Sequence, residues 1–310
     1  MANQDIAFDI GGMRFRSGLV DADGRVSQQV KFDSPSRPEE VVEHIKRIVE
    51  SYSVTADDPV VGIAIGGMVE KGGLVTSGSM NMIDYPLEDM LGLKRPVAIL
   101  NDAKAAALAE GHYNPRLSGQ HSFLLMTISA GIGGGIVIDG DLYEGHMGTA
   151  GEVGHMIIDH TADSYCRLGH RGCLDALASG RALKNRLSKL WREGHWTQHE
   201  DCMRLSYLPD LLANGDGMAH RLVQETGNWI GAGIMNIVRV LDPCEIVFKG
   251  YLAYTLWDYL HPNIAAVLAG YERYIPMSLA SLGENVGLVG AALAARRAGS
   301  GYIAPHCAKD

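Results

Sequence analysis

The sequence predicts an α/β protein with two similar domains. Predicted strands alternate with predicted helices along the chain, which is typical of sheets covered by helices. The order strand, glycine turn, strand, polar turn, strand occurs twice, near residue 9 and again near residue 130. A separation of about 120 residues indicates a duplicated domain rather than a short repeat, and 310 residues are enough for two domains. We place one domain at 1–118, completed by a helix at 285–300, and the other at 119–284.

The first domain begins with three predicted strands and a helix. Residues 5–33 hold the runs IAFDI, FRSGLV and RVSQQVKF, separated by a glycine pair and by the polar turn DADG. The helix follows because Ser36 and Glu39 form a capping-box pattern, and apolar residues then recur at helical spacing from Val41 to Val49. The remaining elements are a strand at 60–65, a loop region through Asn81 and Tyr85, a strand at 97–100 and the alanine-rich helix AKAAALAEG.

The second domain repeats the beginning of the first. Its predicted strands FLLMTISAG, IVIDG and DLYEG include a glycine turn at Gly133-Gly134-Gly135. The later elements are helices at 179–195 and 216–240, the buried strand EIVF before Lys249-Gly250, and a closing helix at 285–297. Two such domains are expected to face each other across a cleft, where ligands usually bind.

Composition excludes several classes of function. The chain carries 27 basic and 36 acidic residues, a net charge of −9, and no basic run, so nucleic acid and anionic membranes are not expected partners. No secretory signal precedes the first strand, and no apolar run approaches the roughly 18 residues of a membrane span, so we expect a cytoplasmic protein. The five cysteines are unevenly spread and do not suggest a disulfide framework.

Two glycine-rich turns are candidate phosphate sites. DIGGM at 9–13 and SAGIGGG at 129–135 place glycines between two strands, where backbone N–H groups can converge on an anion. Asp9, at the end of the first strand, is placed to serve the metal that accompanies a nucleotide. Each turn alone could be only a tight hairpin, but their matching positions in a duplicated fold favour a phosphate clamp. The common fingerprints GxxxxGK[ST] and GxGxxG do not occur.

Asn101 and Asp102 lie where a predicted strand ends and a predicted helix begins. A carboxylate at that end of a sheet strand is well placed as a general base that takes a proton from a hydroxyl. The alternative is that Asp102 only caps the helix.

The stretch GEVGHMIIDHTADSYCRLGHRGCLD, residues 151–175, combines possible metal ligands with possible substrate ligands. Its histidines and cysteines can supply the four ligands of a closed tetrahedral zinc site. They are His155, Cys166, His170 and Cys173. The carboxylates of Glu152, Asp159 and Asp175 are candidates to hold a substrate.

A set of motifs occurs in a fixed order over nearly the whole chain: DIGG, GIAIGG, NDAKAAALAE, SAGIGGG, GEVGH followed by Cys-x6-Cys-Leu-Asp, LDPCEIVF and GLVGAALAA. The ordered set resembles the ROK family of sugar kinases. The resemblance implies the actin-like (ribonuclease H-like) ATPase fold, with two similar domains flanking a cleft, and a homodimer. Repressors of the family carry a DNA-binding segment before the first strand. Nothing precedes IAFDI of that kind here, so we expect an enzyme.

The resemblance also implies roles for individual residues. The residues that correspond to sugar contacts are Gly67, Asn81, Asn101, Asp102, Glu152, His155 and Asp175. Those that correspond to ATP contacts are Asp9, Gly11, Gly12, Gly131, Gly133, Gly134 and Gly250. Asp102 matches the catalytic base, and Asp175 stands where the family usually has a glutamate.

The family's structural zinc site is altered in this sequence. In the family, the histidine of the ExGH motif and three cysteines hold the zinc ion. Here the middle cysteine is Leu168, which cannot bind a metal, so His155, Cys166 and Cys173 remain. The spacing of His170 allows a loop to bring it in as the fourth ligand. The alternative is that zinc is lost and the two cysteines are free thiols.

Other departures from the family pattern lie on the nucleotide side. Met13 replaces the threonine of DIGGT, and Ala130 replaces a second threonine. Lys249 and Tyr251 stand where the family has a run of glycines near the adenosine. These substitutions bear on ATP binding more than on sugar binding.

We therefore predict a kinase that uses ATP and Mg²⁺, carries a structural Zn²⁺ and phosphorylates a primary hydroxyl of a free hexose or N-acylhexosamine. N-Acetylmannosamine and glucose are the leading candidate substrates. The alternative, motivated by Met13 and Lys249, is a sugar-binding protein of the same fold with weak or lost kinase activity. A transcriptional repressor is disfavoured by the acidic charge.

Overall fold

The computed structural model describes residues 4–52, 60–119, 121–196 and 204–300. The elements of the first half are β1 (Asp5–Ile10), β2 (Arg14–Val20), β3 (Val26–Asp33), α1 (Pro38–Ser51), β4 (Val61–Ile65), β5 (Met68–Val69), β6 (Leu74–Ser77), β7 (Met82–Pro86), α2 (Leu87–Leu91), β8 (Val97–Asn101) and α3 (Asp102–Tyr113). Those of the second half are β9 (Phe123–Ile128), β10 (Ile132–Ile138), β11 (Asp141–Tyr143), α4 (Leu174–Ala178), α5 (Gly180–Arg192), α6 (Leu208–Ala213), α7 (Gly217–Leu241), β12 (Glu245–Lys249), α8 (Tyr251–Leu268), β13 (Met277–Leu279) and α9 (Val286–Gly299).

The two large sheets have the same strand arrangement, which confirms the predicted duplication. The first has the order β3-β2-β1-β4-β8 and the second the order β11-β10-β9-β12-β13. In the first sheet, β1 pairs antiparallel with β2 and parallel with β4. In each sheet a meander of three strands is therefore extended by two strands that follow later in the chain.

The chain divides into two compact units. The first consists of Met1–Leu125, Gly135–Gly151 and Ala280–Asp310, and the second of Met126–Gly134 and Glu152–Leu279. Helix α9 thus belongs with the first unit. The domain boundaries predicted from the sequence stay a prediction.

The core of the first unit lies between its sheet and the helices that cover it. Strand β4 is buried along its whole length. Helix α9 packs directly against it, because a Cβ atom at Gly62 would lie 2.0 Å from the carbonyl oxygen of Ala291. At Gly290 a Cβ would lie 1.8 Å from the carbonyl oxygen of Ala105 in α3. Glycine at these two positions lets the backbones of α9, β4 and α3 come into contact, and α3 is the helix that begins at Asp102.

The second unit is built around α7 and α8. A Cβ at Gly231 of α7 would lie 2.7 Å from the Cβ of Val267 in α8, so glycine again permits close packing of two helices. Arg186 of α5 lies over the ring of Trp229, 4.6 Å from its centroid. No helix in the described ranges is long and apolar enough to cross a bilayer.

Three local predictions are wrong. Helix α1 begins one residue later than the capping box of Ser36 and Glu39 requires: Arg37 is its N-cap, without a side-chain cap bond. Pro38 explains the start, since a proline at the first helical position has no N–H to satisfy.

The other two errors concern the loop through Asn81 and Tyr85 and the glycine turn at 133–135. Residues 68–86 form a small antiparallel sheet with the order β5-β6-β7. Glycines 133–135 lie in β10, and the turn before that strand is at 129–131. A Cβ at Gly135 would lie 2.5 Å from the Cβ of Ala107, so glycine at this position allows helix α3 to pack closely and does not form a turn.

Candidate active site

Asp102 is the first residue of α3, directly after β8. Asn101 is the N-cap: its Oδ1 accepts hydrogen bonds from the N–H groups of Ala103 at 2.9 Å and Lys104 at 3.2 Å. The capping role considered for Asp102 therefore falls to its neighbour. The Asp102 carboxylate is partly exposed, and its Oδ1 accepts from the Ala103 N–H at 2.9 Å. The start of the helix thus fixes a carboxylate at the carboxyl end of a parallel strand.

Gly67 lies beside this pair. The Nδ2 of Asn101 donates to the carbonyl oxygen of Gly67 at 2.8 Å. Gly67 has φ +143°, and a Cβ there would lie 2.5 Å from the carbonyl oxygen of Thr76, so only glycine fits. Asn81 is held differently, since its Nδ2 donates to the carbonyl oxygen of Ser36 at 3.1 Å. The structure therefore joins Gly67, Asn101 and Asp102, whereas no hydrogen bond among the described residues joins Asn81 to them.

The first glycine turn connects β1 to β2. The Gly11 N–H donates to the carbonyl oxygen of Arg14 at 2.9 Å, and no described group accepts the Gly12 N–H. Asp9 precedes the turn and is only 4% exposed. Its Oδ2 lies 2.9 Å from Nη2 of Arg16, which is directly opposite it in the β1–β2 pair.

Helix α9 covers the same carboxylate. A Cβ at Gly287 would lie 2.5 Å from Oδ2 of Asp9. Sequence reasoning missed Arg16, although the antiparallel hairpin register would have placed it opposite Asp9. The carboxylate predicted to serve a metal is thus enclosed by a guanidinium and a helix start.

The second glycine turn, Ser129–Gly131, connects β9 to β10. Its backbone is held by α5, because the Gly180 N–H donates to the carbonyl oxygen of Ser129 at 2.8 Å and the Arg181 N–H to that of Ala130 at 3.2 Å. In the described part of the chain, no group accepts the N–H of Ala130 or Gly131. Two N–H groups of the turn are therefore left for an anion.

The other glycines assigned to the nucleotide lie around this turn. Gly133 and Gly134 belong to β10, where the Gly133 N–H donates to Oγ1 of Thr127 at 3.2 Å. Gly250 has φ +110°, and a Cβ there would lie 2.5 Å from the carbonyl oxygen of Ile128. Gly250 thus packs against the end of β9, just before the turn.

Glu152 and His155 form a polar pair in the second unit. Oε2 of Glu152 lies 3.9 Å from Nε2 of His155, and both side chains are partly exposed. The other ring nitrogen of His155, Nδ1, lies 4.0 Å from Sγ of Cys173. The pKa of His155 is lowered, because the effect of burial outweighs that of the nearby carboxylate of Asp175. The ring therefore faces a carboxylate on one side and a thiol on the other.

Three of the four predicted metal ligands form one cluster, and the fourth, Cys173, lies beside it. Ligand atoms of His155, Cys166 and His170 lie within 4.8 Å of one another, and Cys173 approaches through its contact with His155. Both cysteines are buried, and burial raises the pKa of Cys173 to about 11. Leu168, at the missing cysteine position, is 43% exposed. A cluster of two thiols and two imidazoles has the donor chemistry of a zinc site.

Asp175 lies beside this cluster with both carboxylate oxygens engaged. Oδ1 accepts the Ile132 N–H at 2.8 Å, and Oδ2 accepts from Nη2 of Arg181 at 2.7 Å. The residue is 4% exposed. Sequence reasoning missed Arg181, and no pattern in the sequence marks it, because the contact crosses the boundary between α4 and α5.

This chain is similar to one known protein family and to several of its members. The ROK family model matches residues 5–298. The N-acetylmannosamine kinase of Citrobacter koseri is 31% identical, covering 94% of this chain and 98% of that protein. The glucokinase of Streptomyces coelicolor is 30% identical over 94% of this chain and 97% of its own. The structure of a ROK family glucokinase from Streptomyces griseus in complex with glucose and AMPPNP superposes with a TM-score of 0.81 at 29% identity, covering 95% of this chain and 99% of that one.

Proposed function

Because this chain belongs to the ROK family, we propose that it is a sugar kinase that transfers a phosphoryl group from ATP to a primary hydroxyl of a free hexose or N-acylhexosamine. The observation that carries the proposal is the carboxylate of Asp102, held at a strand end by the capped start of α3. Relatives of both substrate types support it, since they include an N-acetylmannosamine kinase and a glucokinase.

In this proposal Asp102 takes the proton from the attacking hydroxyl, which is the principal side-chain task in phosphoryl transfer once positioning and charge neutralisation are provided. Asn101 uses its oxygen for the helix cap and one N–H for Gly67, which leaves one N–H for a sugar hydroxyl. Gly67 and Asn81 complete the sugar contacts proposed in the first unit.

Glu152 and His155 are the sugar contacts proposed in the second unit. Their partly exposed side chains can accept and donate hydrogen bonds to adjacent hydroxyls. Glu152→Gln is expected to weaken sugar binding by roughly tenfold to a hundredfold, because a charge-assisted hydrogen bond is replaced by a neutral one. Calorimetric titration with the sugar measures this, and Glu50→Gln, on the exposed surface of α1, is the control. An unchanged dissociation constant in Glu152→Gln would remove Glu152 from the sugar site.

The N–H groups of Ala130 and Gly131 are proposed to bind a phosphate of the donor, and the N–H of Gly12 is a further candidate phosphate contact. When bound with ATP, Mg²⁺ would neutralise phosphate charge. Asp9 does not fit as a direct ligand of the ion, since Arg16 and α9 enclose its carboxylate. The predicted magnesium, homodimer and cytoplasmic location stay predictions.

A zinc ion held by His155, Cys166, His170 and Cys173 is proposed to organise the loop that carries Glu152 and His155. The donor set fits the ion, and its binding would deprotonate the thiol of Cys173, whose pKa burial raises. The loop has little apolar surface of its own, and metal coordination would supply the stabilisation that apolar burial does not.

His170→Ala is expected to lower zinc content from about one ion per chain and to lower thermal stability with it, because a three-ligand site is left open. Leu168→Cys in the same chain is expected to restore zinc, since it returns a thiolate to the loop, whereas Leu168→Ser is the matched control that cannot. Elemental analysis and thermal unfolding measure both effects. Wild-type protein purified without chelators and free of zinc would contradict the proposal.

A screen for sugar-dependent ADP formation tests the function. Hexoses and N-acetylhexosamines, including glucose and N-acetylmannosamine, are offered with ATP and Mg²⁺. At least one is expected to be turned over. The exposed Met13 and the enclosed Asp9 favour one other candidate, a sugar-binding protein with weak or lost kinase activity. Clear sugar binding without turnover of any sugar would establish that candidate instead.

A further inference from the structure

Lys249 is a half-buried cation at the carboxyl end of β12, next to the glycine turn at Ser129–Gly131. We propose that Lys249 is a further residue of the donor site: its ammonium group binds a phosphate of the nucleotide and thereby favours a highly phosphorylated donor. The inference rests on the proposed function. It gives Lys249 a role opposite to the one considered above, in which this lysine counts against use of ATP.

The backbone on both sides of Lys249 is fixed. Before it, Phe248 is fully buried, and its ring lies 5.2 Å from that of Trp257 in α8, centroid to centroid. After it, Gly250 has φ +110°, and a Cβ there would lie 2.5 Å from the carbonyl oxygen of Ile128. Neither neighbour can move without disturbing the sheet, so only the flexible four-carbon stem of the lysine is left to adjust to a ligand.

This position is close to the open N–H groups of the turn. Strands β9 and β12 are neighbours in the sheet, and the contact of Gly250 with Ile128, the last residue of β9, shows that both strands end at the same edge. The turn follows Ile128 directly, and no group in the described ranges accepts the N–H of Ala130 or Gly131. Neighbouring strands are about 4.8 Å apart, a distance that the stem of a lysine spans.

The charge of Lys249 is not neutralised by a carboxylate. Among the residues that the structure describes, no acidic side chain forms an ion pair with its ammonium group. The acid of the same strand, Glu245, is at the opposite end of β12, where its Oε1 accepts from the hydroxyl of Ser278. An ammonium group of this kind acts as a point charge for a phosphate. The whole chain has a net charge of −9, so a local cation also offsets the repulsion of an anionic donor.

Charge and bulk make opposite predictions for this residue. If the side chain only crowds the nucleotide, its removal in Lys249→Gly strengthens binding of every nucleotide, including adenosine without phosphate. If the ammonium group binds a phosphate, the same variant loses affinity, and the loss depends on the phosphates that the ligand carries. A series of ligands that differ only in phosphate number therefore separates the two effects.

The test titrates adenosine, AMP, ADP and a non-hydrolysable ATP analogue by calorimetry into wild type, Lys249→Met, Lys249→Gly and Lys249→Arg. We expect Lys249→Met and Lys249→Gly to weaken binding of the ATP analogue by roughly fivefold to fiftyfold, because a charge-assisted hydrogen bond is lost. Adenosine and sugar affinities are expected to change by less than about twofold. Lys249→Arg retains the charge and should keep most of the affinity.

Salt provides a second readout that a merely structural role would not produce. The affinity difference between wild type and Lys249→Met is expected to shrink between about 50 mM and about 500 mM KCl, because salt screens the attraction between an ammonium group and a phosphate. A difference that does not depend on salt would contradict a direct phosphate contact.

Lys184→Met is the matched control, since Lys184 is an exposed lysine of α5 in the same unit. It removes the same charge and should leave every affinity unchanged. Tighter binding of adenosine and of the ATP analogue by Lys249→Gly would overturn the inference, as would equal affinities of wild type and Lys249→Met for the analogue. If Lys249→Gly does not fold, Lys249→Met and Lys249→Arg decide. Wild-type protein that binds no nucleotide and turns over no sugar would refute the proposed function itself.

Discussion

Asp102→Asn is expected to lower kcat by roughly a hundredfold to ten-thousandfold while leaving the dissociation constant of the sugar nearly unchanged, which is the range for the loss of a positioned general base. The amide that replaces the carboxylate can still accept from the Ala103 N–H, so the start of α3 is preserved. It cannot take a proton from the attacking hydroxyl. Steady-state kinetics at saturating sugar, with calorimetry for sugar affinity, measures the two quantities.

Asp89→Asn is the control for that variant, because Asp89 is an exposed carboxylate in the short helix α2. Its kinetics should equal those of the wild type. An Asp102→Asn protein that keeps a tenth or more of the wild-type kcat would contradict the assignment of Asp102 as the base. A variant that loses sugar affinity in proportion to its activity would indicate a binding role instead.

Gly290→Ala is expected to lower the free energy of unfolding by about 3 kcal/mol, the upper part of the usual range for overpacking a core. The added Cβ would lie 1.8 Å from the carbonyl oxygen of Ala105. Both sides of this contact are helix backbone, which cannot rotate away as a side chain can. The helices α9 and α3 must separate, and because α3 begins at Asp102, kcat is expected to fall as well.

Gly217→Ala separates this steric effect from the general effect of replacing a helical glycine. Gly217 is at the start of α7, and a Cβ there would meet no atom within 4 Å. Its unfolding free energy should equal that of the wild type or exceed it slightly, since alanine favours helix. Urea denaturation followed by circular dichroism compares the two variants. Equal stabilities would show that α9 and α3 are not packed through Gly290.

The parts of the fold that the sequence predicts correctly are those with strong local periodicity. Strands β1 to β3 and helix α1 alternate or repeat over enough residues to be recognised, and the duplication is visible because both sheets begin with the same meander. Strands β5 and β6 are missed because they have only two and four residues and no glycine-turn repeat marks them, and β7 because its apolar residues do not alternate, with Ile83 exposed and Pro86 at its end. Gly135 is wrongly predicted to lie in a turn, because glycine is needed there for the close packing of α3, a tertiary contact that the local sequence does not show.

The candidate site divides in the same way. Asp102 is predicted because it follows the end of a strand. The histidines and cysteines at 155–173 are predicted from their spacing as metal ligands, and both signals are local in the sequence. Arg16 and Arg181 are missed because each acquires its role through a partner on another element, Asp9 in one case and Asp175 in the other. The carboxylate of Asp175 accepts from a backbone N–H and a guanidinium, and its role as a sugar ligand, which the resemblance implies, stays a prediction. The motifs identify functional residues, but they do not show which contacts hold each of these residues in place.

Transfer of a phosphoryl group from ATP to a sugar is best tested by measuring ADP and sugar phosphate in the same reaction. Purified protein is incubated with ATP, Mg²⁺ and one sugar at a time, and the products are quantified by chromatography and ³¹P NMR. A sugar kinase is expected to form ADP and a phosphomonoester of a hexose or N-acylhexosamine in equal amounts, with neither formed when the sugar is omitted. ADP formed without sugar phosphate, or no phosphomonoester from any sugar that binds, would contradict it.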